Sequence, residues 1–143
     1  MSLVVDSCVL LDIALRDPEF GIPSALLLES RRKQGLVACP ISIVEICPQF
    51  DGKIATTKAF LRLVGADADS PWLAQDTERA AEGWARYVSM KRAGKTAVRP
   101  VADILIGAFS QRFDGLVTRN PSHFMPYFPA LTLIDPSPHA GTC

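Results

Sequence analysis

The sequence predicts an α/β fold, a three-layer α/β/α sandwich around a central, mostly parallel sheet. Two observations carry this expectation. Short, branched apolar runs recur along the chain, and each is followed by a segment with helical spacing of its apolar residues. Strands that alternate with helices pair in parallel and are covered on both faces. At 143 residues, 48% apolar and 21% charged, the chain suits one domain with a real hydrophobic core.

"SLVV" before Asp6 is the first strand. A helix from about Cys8 to Arg16 ends at "RDPEFG", where Pro18 and Gly21 break it. "PSALLLESRRKQG" is an amphipathic helix with Pro23 in its first turn, basic residues in its last and Gly35 at its stop. "LVAC" is the next strand, then "PISIVEICPQF" and "KIATTKAFLRLVG" are helices. "QDTERAAEGWARYVSMKRAG" is a longer helix with Ala80, Ala81, Trp84, Val88 and Met90 among its apolar positions. After "KTAVRP" a helix carries Asp103 to about Phe113. The strand "GLVT", a short helical turn around "PSHFMPYF" and the strand "LTLID" follow. The expected domain spans residues 1–136, with 137–143 as a loose tail.

Composition excludes several functions. Net charge is zero, so bulk cationic adhesion to nucleic acid is not available and any such contact must be local. No apolar run approaches the roughly 20 residues that span a bilayer. The start "MSLVVDSCVLLD" lacks a basic leader, so the chain reads as cytoplasmic. Cys8, Cys39, Cys47 and Cys143 form no CxxC pair, which speaks for reduced thiols rather than a zinc site.

The carboxylates hold the chemistry. Asp6 directly follows the first strand; it can cap the next helix or face a ligand. Glu45 stands three residues after Ser42, the spacing of a capping box, yet Ile43, Val44 and Ile46 surround it. Asp103 can cap its helix after Pro100, or share a face with Gly107, where a backbone or ligand could come close. Asp12 has Cys8 and Arg16 at helical spacing and reads as a solvated ion pair. Taken together, Asp6, Glu45 and Asp103 each belong to a different βα unit, at the strand ends where open sheets collect ligands. Oxygen-only donors there suit Mg²⁺ or Mn²⁺. Arg86, Lys91, Arg92, Lys95 and Arg99 precede Asp103, and Arg119 precedes Asn120; they can track phosphates or simply end a helix. Phe50, Phe60, Leu61 and Leu63 suit core packing or an apolar groove, and Trp72 and Trp84 read as structural.

"VVDSCVLLD", "ISIVEI", "VADILIGAF", "LVTRNPSHF" and "YFPALTLIDP" occur in an order that resembles PIN-domain proteins. The likeness is specifically to VapC-type toxin ribonucleases of bacterial toxin–antitoxin pairs, over residues 3–136. It implies a metal-dependent endoribonuclease with Asp6, Glu45 and Asp103 as the acids holding Mg²⁺ or Mn²⁺. The family's fourth acidic position falls on Asn120, a neutral residue with one carbonyl oxygen to offer. Ser7 and Thr118 are placed to help, and Arg119, Arg99 and Lys95 to meet the RNA. The resemblance also implies a cognate antitoxin over the groove and a homodimer. The alternative is a catalytically silent PIN fold that binds RNA or a protein. Dehalogenase-like chemistry would want an acid where Cys8 stands.

Overall fold

The computed structural model describes residues 2–94 and 100–138; Lys95, Arg99 and tail residues 139–143 lie outside the described residues. The elements run β1 (Leu3–Val5), α1 (Ser7–Ala14), α2 (Gly21–Arg31), β2 (Leu36–Ala38), α3 (Pro40–Ile46) and α4 (Ile54–Val64). They continue with β3 (Ala66–Asp67), α5 (Ala74–Arg92), α6 (Val101–Ser110), β4 (Gly115–Val117) and β5 (Leu133–Ile134). All five strands are parallel, in the order β3-β2-β1-β4-β5. The predicted α/β class is the observed one.

Side-chain alternation builds the three layers. Leu3 and Val5 pack with Val9, Leu10, Leu28, Ile43, Ile46 and Leu61, which come from α1 to α4. Val4, between them, packs on the other face with Ile106, Phe109 and Phe124. Val37 and Leu116 join Val4, while Leu36, Ala38 and Val117 join the opposite side. Strands buried on both faces must be continuously apolar, which is why "LVV", "LVA" and "GLV" carry no polar residue. Each fully buried Val or Leu contributes roughly 1.5–3 kcal/mol.

The boundaries differ from the sequence expectation in several places. β3 was not foreseen, because two residues, one of them Asp67, give no strand pattern. The expected helix 40–50 stops at Ile46 and continues as one 3₁₀ turn, Cys47–Phe50. Pro48 has no N–H to donate to the preceding turn, and that ends the α-helical ladder. The Asp103 helix ends at Ser110, whose hydroxyl donates back to the Ile106 carbonyl at 2.7 Å. No helix among the described residues is long and apolar enough to cross a membrane.

Two devices fix α5 against α6. At one end Arg112 donates to both oxygens of the fully buried Asp76, at 2.8 and 3.0 Å. Asp76 also accepts from the Leu73 N–H and so closes the start of α5. In the middle, the Phe128 ring enters between the helices where Gly83 and Gly107 leave room. The space left by Gly107 therefore admits an aromatic ring, not a ligand or another backbone. A Cβ at Gly107 would lie 2.5 Å from that ring, and one at Gly83 2.6 Å from it.

Gly107→Ala should therefore destabilise the protein by about 1–3 kcal/mol in urea unfolding. Phe128→Leu combined with it should recover part of the loss, because the two residues share one space. Strict additivity of the two changes would show that the ring does not fill the gap.

Candidate active site at the strand switch point

The chain winds outward from β1 through β2 to β3, then returns to the other flank of β1 as β4. The order of strands thus reverses between β1 and β4, and open sheets bind ligands beyond the carboxyl ends at such a point. Val5 is in register with Val117, so the next residues, Asp6 and Thr118, leave the sheet side by side. The Asp6 N–H confirms the alignment by donating to the Val117 carbonyl at 2.9 Å.

Asp6 caps a helix with one oxygen and faces the switch point with the other. It is the N-cap of α1, extended at φ −69° and ψ 151°, and Oδ1 accepts from the Ser7 N–H at 2.8 Å. Oδ2 faces the switch point, accepting from the Thr118 hydroxyl at 2.8 Å and the Cys8 thiol at 3.3 Å. Burial, then the Asp6 charge, pushes the Cys8 thiol up to about 12. It therefore stands as a protonated donor to Asp6. Thr118 is fully buried, and its Oγ1 accepts in turn from the Asn120 N–H at 3.0 Å.

Glu45 is not in a capping box. Pro40 opens α3, so Ser42 lies inside the helix, buried, with a hydroxyl that has no hydrogen-bond partner. Glu45 falls in the last turn, exposed, and its Oε1 accepts from the Ser7 hydroxyl at 2.5 Å. Ser7 thereby joins two acids, through its amide to Asp6 and its hydroxyl to Glu45.

Asp103 is the third residue of α6, and no side chain caps that helix. Its Oδ2 lies 3.4 Å from His123 Nδ1. Burial first, then the Asp6 charge, pushes the Asp103 carboxyl up to about 6; His123 lowers it, and the Glu45 charge adds a lesser push upward. Asp103 therefore feels the other two acids across the switch point.

They do not form a finished coordination sphere. Among the described residues, no group of three or more His, Cys, Asp or Glu side chains is gathered closely enough to hold a metal ion. The donor chemistry nonetheless fits a hard cation: carboxylate oxygens from Asp6, Asp103 and Glu45, an amide oxygen at Asn120, and hydroxyls at Ser7 and Thr118.

Among the basic residues, Arg119 and Arg86 are bound within the protein. Arg119 is bound through Nε and Nη2 to both oxygens of Asp12, at 2.7 and 3.1 Å, and its guanidinium lies 4.5 Å over the Phe20 ring. Asp12 is buried rather than solvated, and its partner is not Arg16. Arg16 follows the end of α1 with φ 53°, which takes it off the helical spacing. Arg86 donates to the Tyr127 carbonyl at 2.6 Å. Lys91 and Arg92 are exposed in the last turn of α5. Sequence reasoning overlooked Cys8 and His123 at the site; the only signal for His123 was its position three residues after Asn120.

Comparison with models of protein families, with curated proteins and with solved structures gives no match for this chain.

The raised Asp103 carboxyl fixes a pH dependence. Between the ordinary value of 3.8 and about 6, the folded protein holds a proton there that the unfolded chain has released. The folded state binds more protons, so stability falls as pH rises through that window. Asp103→Asn should match the parent in thermal melts near pH ~4 and exceed it near pH ~7. A variant that melts lower at both values would make Asp103 a stabilising helix-end residue instead.

Proposed function

We propose that this chain is a PIN-like, metal-dependent endoribonuclease that hydrolyses RNA phosphodiester bonds, acting as the toxin of a toxin–antitoxin pair. The observation that carries the reading is the electrostatics of the switch point. Asp103 is pushed up by its own burial and by two further acids from separate βα units. A phosphodiester backbone would be repelled by that cluster unless a cation stood between them. Asp6, Asp103 and Glu45 are the donors that would hold Mg²⁺ or Mn²⁺, with Asn120 as a neutral fourth.

When bound, such a cation supplies charge for the phosphoryl oxygens and lowers the pKa of a coordinated water. The chain's own side chains prepare the rest. Thr118 fixes one oxygen of Asp6, Ser7 orients Glu45, and His123 Nδ1 sits beside Asp103 Oδ2. The exposed Lys91 and Arg92 can approach phosphates, together with Lys95 and Arg99 of the segment outside the described residues. A cognate antitoxin and a homodimer belong to the same proposal. A cytoplasmic setting is supported by Cys8, Cys39 and Cys47, which are all free thiols.

A second reading is a silent PIN-like fold that binds RNA or a protein without cutting. Two observations favour it: neutral Asn120 in place of an acid, and the absence of a gathered three-ligand cluster among the described residues.

Cleavage of RNA should require added Mg²⁺ or Mn²⁺ and cease on chelation. Asp103→Asn should lower the rate on the order of 10²–10³-fold while the protein stays folded. Retention of RNA by a parent protein that never cuts it, at any divalent concentration, would select the silent fold.

A further inference from the structure

Asp12 has no part in the acidic cluster, yet it is a buried carboxylate in the middle of an apolar helix face. Such a group is tolerated only with a partner of good geometry. Its partner, Arg119, reaches it from the opposite end of the chain, 107 residues away. Buried ion pairs are often no better for stability than apolar residues of equal volume, so stability alone does not account for this one. Its position does. Arg119 is the residue between Thr118, whose hydroxyl donates to Asp6, and Asn120, whose N–H donates to that same hydroxyl.

We propose that Asp12 is a positioning residue for the acidic site: through Arg119 it holds the 118–120 turn so that the Thr118 hydroxyl stays on Asp6. The inference rests on the nuclease reading for its meaning, since it makes Asp6 the group being positioned. The clamp has two jaws. Asp12 grips the guanidinium edge in a two-pronged hydrogen bond, and Phe20 covers its face at 4.5 Å. Phe20 is itself set by Asp17, whose Oδ1 accepts from the Phe20 and Glu19 N–H groups at 2.9 Å. Arg119 therefore serves the turn.

The test is amide hydrogen exchange by NMR on the metal-free protein. Asn120 N–H reports the Thr118 hydroxyl, and the Thr118 N–H, bound to the Ile134 carbonyl at 2.9 Å, reports the sheet beneath it. In Asp12→Asn, exchange at Asn120 should rise about tenfold more than at Thr118, as a local opening. Arg119→Lys should act in the same direction, because an ammonium keeps the charge but not the fork. Equal acceleration at both amides, or none, overturns the proposal. Mn²⁺ binding, followed by electron paramagnetic resonance, should weaken about tenfold in Asp12→Asn; unchanged Mn²⁺ affinity also overturns it. A parent protein that neither binds Mn²⁺ nor cuts RNA removes the nuclease reading instead, and the exchange ratio then decides the clamp.

Discussion

The pairing of β1 with β4 is the constraint on which the rest of this structure depends. Three residue pairs, Leu3–Gly115, Val4–Leu116 and Val5–Val117, set two carboxyl ends level. Everything chemical then follows from which residue comes next on each strand. Asp6 comes next on β1 and Thr118 on β4, and their side chains meet at 2.8 Å. A slip of one residue would turn Val4 and Leu116 toward the wrong layer and carry Thr118 away from Asp6. The same apolar packing that stabilises the sheet therefore also holds the registration of the site.

Charge in this protein is sorted by partner. Asp76 and Asp12 are buried with arginines that meet both their oxygens, and each ties distant parts of the chain together. Asp6, Glu45 and Asp103 have hydroxyls, a thiol, an amide and one imidazole, but no Lys or Arg among the described residues within salt-bridge distance. That contrast separates the arginine-paired acids from those at the switch point more cleanly than burial does, since Asp12 and Asp6 are equally buried.

Much of the fold was legible because strands buried on both faces leave continuous apolar runs, and "SLVV" and "GLVT" are hard to read otherwise. Asp6, Glu45 and Asp103 were legible for a related reason: acids placed among apolar neighbours demand explanation. The two-residue β3 was not, because pairing with β2 rather than its own composition makes it a strand. Asp12 was misread because local spacing offered Arg16, whereas the real partner lies across the fold. Glu45 was half-read: its capping-box spacing was real, but Pro40 set the start of α3 and moved Ser42 inside the helix. Side-chain pairs at long separation leave no mark in local pattern, and they decide most of the geometry around the acids.

The central place of β1 has a consequence for how the chain assembles. One flank of β1 can pair as soon as residues 36–38 exist, but the other must wait for residues 115–117. On the ribosome an apolar strand edge thus stays open while most of the polypeptide is made. Closing it joins segments 112 residues apart, a long loop whose entropy must be overcome before any contact rewards it. The acidic centre is accordingly among the last features to be completed, and no nascent fragment shorter than β4 can possess it.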